Sequence, residues 1–325
     1  MTNPWYNHVS ANPVSQSRGS SGVMRTEFDA VAAGFDLLPA SIPGYNSFSK
    51  RAIVGADTAI SSDRAKVLTL SGTFTLGTTA AATLGAGWWC YLQNIGTGTI
   101  TLDPNGAETV DGQASGSIYP GFVFLFQCDG AGFSLVKMGG QRIELVTAGV
   151  TWTAPIGIRV AKATTQGGGG SGAQAPTAGC GGSGGGVAEK SFVTSPGTAH
   201  TIAIGSGGAA VALVNTSGNP GTATTFNTNV VVVTASGGAA GSTSGGNNTT
   251  VLGGAATNGD TNTPGGTAFS IGSTSIGGDS KFGRGGAYST SVLLSAATGY
   301  GSGGGGQPNT GSSGAGMPGC IVMEY

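Results

Sequence analysis

Charge is scarce in this chain. Asp, Glu, Lys and Arg together supply 8% of its 325 residues, against about 25% in an ordinary soluble domain, and the net charge is −1. With a pI near 6.1 and no cluster of Lys or Arg, the electrostatic footprint of a nucleic-acid binder is missing. Long apolar runs are missing as well. None approaches the roughly 18–20 residues that cross a bilayer, so no membrane span is expected. Residues 1–5 lack the basic and apolar regions of a secretory leader, which predicts a chain made in the cytoplasm without a leader of its own.

Cysteine is limited to Cys90, Cys128, Cys180 and Cys320. Their wide spacing, with no C-x-x-C pair, argues against a zinc site and against a dense disulfide framework. They are expected to stay reduced and buried. The two histidines, His8 and His200, have no nucleophile or metal-ligand companion at a recognised spacing. Glycan-cleaving enzymes place two carboxylates about one bond, and the candidates here, Asp103, Glu108 and Asp111, all lie beside turn signals. Strings such as Gly167 to Gly172 match a phosphate-loop pattern only because glycine is so frequent. The expectation is a protein that is not an enzyme and holds no metal or cofactor.

Glycine is what the chain has in abundance, 64 residues of it. Disorder usually goes with high net charge and low hydrophobicity, but 38% of these residues are hydrophobic and the mean hydropathy is +0.12. Something is therefore buried, and the sequence divides into three segments that bury it differently.

In residues 1–48, Met24, Phe28, Val31, Phe35 and Leu38 recur at spacings of four, three, four and three. That is the stripe of a short amphipathic helix, capped by Ser20 or Ser21 and stopped by Pro39. So short a helix is not stable alone. It has to dock, on sister chains, on another protein or on its own domain. Residues 49–140 read as short strands rich in β-branched and aromatic residues: 66–70, 88–92, 99–102, 122–126 and 133–136. Asp103-Pro104-Asn105-Gly106 and Asp111-Gly112 supply the turns. This predicts a small antiparallel β-sandwich or barrel, with Trp88, Cys90 and Leu92 on one face and Phe122, Phe124, Phe126 and Cys128 on another.

Residues 141–325 hold most of the glycine and no charged residue between Lys190 and Asp260. The segment is not a linker, because Ile202-Ala203-Ile204, Val230-Val231-Val232-Val233 and Val292-Leu293-Leu294 require a core. Glycine loses more backbone entropy on folding than any other residue, so its density implies tight turns or very close backbone packing. Loops between strands are the first expectation and stacked polyglycine II helices the second, since the runs are short and interrupted. The predicted fold is mainly β, with a short N-terminal helix, a small β-unit and a glycine-rich β-domain.

Three stretches carry a resemblance. Asn3-Pro4-Trp5-Tyr6-Asn7-His8 with Met24-Arg25-Thr26-Glu27-Phe28 and the helix that follows resembles the N-terminus of phage tail-fibre proteins. The run from Leu84-Gly85-Ala86-Gly87-Trp88 to Cys128-Asp129-Gly130 is similar to a spacer domain of such proteins. Thr151-Trp152-Thr153-Ala154-Pro155 and Gly319-Cys320-Ile321-Val322-Met323-Glu324-Tyr325 frame what resembles their glycine-rich C-terminal domain. The resemblance implies an elongated, trimeric virion protein. Trp5, Tyr6, Met24, Phe28, Val31, Phe35 and Leu38 would face tail or baseplate proteins, and C-terminal loops would touch a host glycan or outer-membrane protein. The aromatic and charged residues that interrupt the last glycine runs, Lys281, Phe282, Arg284, Tyr288 and Tyr300, are the candidate receptor contacts, because aromatic and Arg side chains bring large contact area with a polar handle. The first and last strands of the glycine-rich domain are expected to pair.

Overall fold

The computed structural model describes residues 48–176, 179–244, 249–289, 292–308 and 311–325. The helix expected near the N-terminus, and with it Trp5, Tyr6, His8, Met24, Phe28, Val31, Phe35 and Leu38, lies outside the described residues. What is described is mainly β.

The first unit holds two sheets. β1 (Lys50–Ile53), β3 (Val67–Leu70), β5 (Trp89–Asn94), β8 (Val123–Cys128) and β9 (Phe133–Gly139) form one, in that order. β2 (Asp57–Ala59), β4 (Thr75–Thr78), β6 (Ile100–Asp103) and β7 (Gly116–Ile118) form the other. The strands expected from β-branched and aromatic runs are all present, and the turns at Gly106 and at Asp111-Gly112 take positive φ. The pairing differs from expectation. β1–β3–β5 and β2–β4–β6 are parallel, so the chain alternates between the sheets in three stacked rungs before β7, β8 and β9 close the unit antiparallel. There is no closed barrel. β1, β2 and β4 carried no sequence signal because each buries only one apolar side chain, Ile53, Ala59 and Leu76 respectively. Cys90 pairs with Phe126 and Leu92 with Phe124 on adjacent strands, so the two apolar rows expected on different faces share one inner face. Cys90 and Cys128 are buried free thiols there, and burial pushes the Cys90 thiol well above its usual range.

The second unit begins as a sandwich. One sheet runs β10 (Ile143–Val146), β26 (Cys320–Glu324), β12 (Val160–Gln166), β14 (Val187–Val193), β20 (Thr261–Thr263). The other runs β11 (Thr151–Thr153), β15 (Ala199–Ala203), β16 (Thr224–Asn227), β17 (Val232–Ala235), β19 (Ala256–Thr257). The last strand pairs with β10 and β12, whereas β11 crosses to pair with β15 in the opposite sheet, which corrects the expected pairing of first and last strands. Between the sheets, Trp152, Phe192, His200, Phe226 and Tyr325 make an aromatic cluster with ring centroids 5.0–6.1 Å apart. Of the Val230–Val233 run only Val233 is buried, and Val230 is 89% exposed in a turn.

Six strands of this sandwich do not end in loops. β12, β15 and β17 run directly into glycine-rich stretches, and β14, β16 and β26 emerge from them. The amides of Gly167 to Gln174 show what those stretches are. Gly167, Gly170 and Ala173 donate to the carbonyls of Gly186, Ser183 and Cys180; Gly168, Ser171 and Gln174 donate to Thr222, Asn219 and Thr216; Gly169 and Gly172 donate to Met317 and Gly314, all at 2.8–3.1 Å. The direction of donation repeats every third residue, the signature of an extended threefold helix without internal hydrogen bonds. The carbonyls of the same helix accept from Gly238 and Gly241, from Gly208, and from Gly304 and Gln307. One helix thus bonds to six surrounding stretches of chain. Residues 179–186 behave alike: Cys180, Ser183 and Gly186 donate to one neighbour, Gly179, Gly182 and Gly185 to a second, and Gly184 to Gly266.

This is a polyglycine II lattice rather than the loops placed first from sequence. The runs are short because each helix needs only a few turns, and their interruptions fall where a side chain can be used. The hydroxyls of Ser171 and Ser183 each accept a backbone amide, from Asn219 and Ala239, at 2.7 Å. A Cβ added at Gly168, Gly169 or Gly170 would sit on the carbonyl oxygen of Ser206, Ser302 or Ala239, inside van der Waals contact.

Beyond the lattice lies a third sheet of this unit, β18 (Thr249–Val251), β21 (Ala268–Ile271), β22 (Thr274–Ile276), β23 (Ala287–Ser289), β24 (Val292–Ser295), next to a short parallel pair of β13 (Gln174–Ala175) and β25 (Gln307–Pro308). At the opposite end, the two units share one hydrophobic core. Ile156 and Ile158, buried between β11 and β12, reach under the first unit, where Gly157 packs against Phe124 and Leu135. The Asp111 carboxylate ties the joint by accepting from the Gly157 amide at 2.8 Å and from Arg159 at 2.9 Å.

Two measurements test this account. Gly170→Ala is expected to lose stability on the order of 4 kcal/mol, since backbone rather than a flexible side chain meets the new methyl, while Gly55→Ala, with nothing within 4 Å, stays within about 0.5 kcal/mol of wild type in chemical denaturation. The second concerns His200, whose Nδ1 faces the Asn227 carbonyl at 3.1 Å and whose Nε2 lies 2.8 Å from the Thr194 hydroxyl. Burial lowers its pKa, so the unfolded chain binds the proton more readily. Stability is complete above the ordinary histidine pKa of about 6.5 and falls as pH drops below it. Melting temperature followed from about pH 8 to about pH 5 should decline over that window, and His200→Gln should flatten the decline.

Candidate binding surface

Lys281, Phe282, Arg284 and Tyr300 come together around a tight turn in which Ser280 bridges to Gly283. The Ser280 hydroxyl donates to the Tyr300 carbonyl at 2.5 Å, and the Arg284 carbonyl accepts from the Thr298 amide at 3.0 Å. Glycine makes this turn possible, because a Cβ at Gly283 would overlap the Thr298 carbonyl. Lys281 and Arg284 are exposed, and Phe282 and Tyr300 are half-buried.

The turn folds back toward the sandwich. Lys281 ion-pairs with Glu189 on β14, which also holds Lys162 at 2.7 Å, and Lys162 lies 3.9 Å from Glu324. The Lys162 and Lys281 ammonium groups hold the Glu189 carboxyl below its usual range, and Glu189 raises Lys162 in return. Beside this chain of charges is a cleft of about 420 Å³ lined by Glu189, Thr263, Pro264, Asp279, Ser280 and Lys281.

Tyr288 is not part of that cluster. It sits on β23, four extended residues or roughly 13 Å farther along the chain than Arg284, and is paired with Ser275, which is paired with Ser270. Residues directly opposite in a sheet share a face, and both serines are fully buried. Tyr288 therefore stands on the lattice-facing side. The outward side of the same sheet carries Phe269 and Ile271, which are 36% and 58% exposed. The alternation in Ala268–Ile271, small residues in and large residues out, inverts the usual reading. Along β21 small residues thus face the packed backbone of the lattice and large ones are turned to solvent, whereas on β23 the half-buried Tyr288 lies on the lattice side.

Sequence reasoning passed over Phe269 and Ile271 because it treated apolar residues as core. It passed over Leu213 and Val214, exposed in the 209–216 loop, for the same reason. The available signal was the short alternating pattern of Ala268-Phe269-Ser270-Ile271, read with its phase reversed.

The candidate catalytic carboxylates are apart in role. Glu108 accepts from the Ala81 amide at 2.8 Å, at the start of a single helical turn, and Asp111 is spent on the joint between units. Among the described residues, no group of three or more His, Cys, Asp or Glu side chains could hold a metal ion, and no helix is long and apolar enough to cross a membrane.

No curated protein matches the chain in sequence. The model of a glycine-rich domain matches residues 145–325, which takes in the sandwich from β11 onward, the lattice and the third sheet. Since the match covers more than half of the sequence, the chain belongs to the glycine-rich domain family.

Proposed function

We propose that this is a phage virion protein, a tail fibre or tail-tip component working as a homotrimer, which attaches through its N-terminal segment and meets the host surface with the far end of its glycine-rich domain. The observation that carries this reading is the lattice itself. It holds its shape by backbone hydrogen bonds, so the side chains at its periphery are free to vary without disturbing the strands that carry them. Loops on such a scaffold are suited to recognition. The N-terminal and spacer resemblances supply the virion context. Two surfaces are available for a host glycan or outer-membrane protein: the outward face with Phe269 and Ile271, and the turn with Lys281 and Arg284. The proposal includes no enzymatic step, in keeping with the structural employment of Glu108 and Asp111.

Competition by purified protein against virion adsorption tests this. Phe269→Ser with Ile271→Ser, or Lys281→Ala with Arg284→Ala, should reduce competition several-fold while shifting stability by no more than about 0.5 kcal/mol, as surface changes usually do. Full competition by both double variants would remove these surfaces from the recognition site, and failure of the wild-type protein to compete would remove the receptor-binding role. Incubated with host capsule or lipopolysaccharide, the protein should release no new reducing ends; turnover lost in Asp103→Asn or Asp111→Asn would establish a depolymerase instead.

A further inference from the structure

The far end of the glycine-rich domain is built from sequence without charge. Beyond Lys162 the charged residues are Glu189, Lys190, Asp260 and Glu324 and those of the 279–284 turn. Glu189 and Lys190 lie on β14 and Glu324 on β26. Asp260 accepts from Lys190 at 2.6 Å, and the turn is tied to Glu189 through Lys281. All of these charges thus gather at the sandwich. The stretches that reach the other end, 163–188, 191–259, 261–278 and 285–323, contain none, whereas an ordinary soluble domain is about 25% charged.

One loop at that end is apolar as well as uncharged. The chain leaves β15 and passes the lattice at Gly208, whose amide donates to the Gly169 carbonyl. By Thr216 it has reached Gln174, with which it exchanges backbone hydrogen bonds of 2.9 and 3.0 Å. Gln174 stands roughly 25 Å from Gln166 on β12, at about 3.1 Å per residue of threefold helix. Between Gly208 and Thr216 runs Ala209-Ala210-Val211-Ala212-Leu213-Val214, of which all but Val211 are exposed, Leu213 by 73%. Its base is braced. The Val211 amide donates to the Ser313 hydroxyl at 3.0 Å, its carbonyl accepts from the Ser313 amide at 2.8 Å, and the Asn219 side-chain amide donates to the Ala209 carbonyl at 2.8 Å.

The composition of the loop selects its partner. Protein interfaces are held by a few aromatic or Arg anchors and bury roughly 800 Å² on each side. This loop has no such anchor, and six residues, three of them alanine, are too few for that area. A lipid surface needs neither, since it rewards apolar area without regard to direction and penalises charge. The polar residues beside the loop, Asn215, Ser217 and Ser312, are neutral and exposed, as contact with a headgroup layer requires. We infer that the 209–214 loop inserts into the interfacial layer of a lipid bilayer, with Leu213 and Val214 at the acyl boundary and the neighbouring hydroxyl and amide groups among the headgroups. The inference does not rest on the proposed function, which assigns recognition to other residues. Because no charge takes part, the contact is insensitive to salt.

Full-length protein tests it. The four native cysteines are buried, so Ala212→Cys supplies the one accessible thiol for an environment-sensitive NBD label. With vesicles of phosphatidylethanolamine and phosphatidylglycerol in excess, NBD emission should rise several-fold and be quenched by doxyl-labelled lipid, equally at low and high salt. The same label on Thr201→Cys, exposed on the sandwich, should show neither effect. Adding Leu213→Ser and Val214→Ser to Ala212→Cys should weaken vesicle binding about tenfold or more; should this variant melt early, the label on Ala212→Cys alone decides. No rise, equal quenching at both labelled positions, or a rise abolished by salt would overturn the inference. So would a rise confined to bacterial outer-membrane vesicles and removed by protease, which would assign the loop to a protein partner.

Discussion

The close approach of backbone to backbone is the contact on which the glycine-rich domain depends. A threefold extended helix has no hydrogen bonds of its own, and a buried amide without a partner costs about 1–3 kcal/mol. Every donor must therefore find a carbonyl on a neighbouring stretch of the chain, in directions that rotate with each residue. Glycine lets neighbours approach from all of those directions, because the position of a Cβ is already occupied by a carbonyl oxygen from another stretch of the same chain. The entropic cost of ordering glycine is offset by satisfying donors and acceptors together in a buried interior. The near absence of charge follows, since an ionised side chain in that interior would have neither space nor solvent.

The rest of the molecule is arranged so that this lattice can start and stop. At one end it grows out of a sandwich whose aromatic cluster supplies the apolar burial that the lattice lacks, with strands passing from one regime to the other without a loop. Gln166 marks one such crossing, its side-chain amide donating to the carbonyls of Gly167, Gly185 and Gly186. At the other end, the third sheet accommodates the lattice with the small buried residues Ala268, Ser270 and Ser275, flanked on β23 by Tyr288. Cysteine fits the same logic: Cys180 and Cys320 are small, fully buried thiols at lattice boundaries, and burial alone pushes Cys320 up to about 12.

Much of the first unit was legible because period-two alternation and turn residues act locally. Val123–Cys128 declares its inward face without reference to anything distant, and Asp111-Gly112 declares its turn. Parallel stacking was not legible. Whether β1 and β3 run parallel depends on where the chain returns after β2, and no side chain records that. The glycine runs were legible as buried but not as a lattice, since a run of four identical residues carries no phase, and the threefold rotation appears only when six other stretches lie alongside. Asp111 shows the limit for single residues. Its turn conformation was readable, but its reach to Gly157 and Arg159 across the joint was not, since those residues are nearly fifty positions away. The receptor candidates were chosen for residue type. Lys281 and Arg284 are exposed as that choice requires, while Tyr288 faces the lattice, because the phase of β23 is set by its pairing with Ser275.

The threefold rotation also constrains how such a domain can change length. Adding or removing one residue within Gly167 to Gln174 would turn every later amide by a third of a revolution, away from its carbonyl on one neighbour and toward a different neighbour. Three residues restore the phase, provided that the adjoining helices lengthen as well. Growth of the lattice is thus quantised in triplets and collective across strands, whereas loops at its ends can gain or lose residues singly. Divergence by insertion is channelled to the tips, and the interior keeps its register.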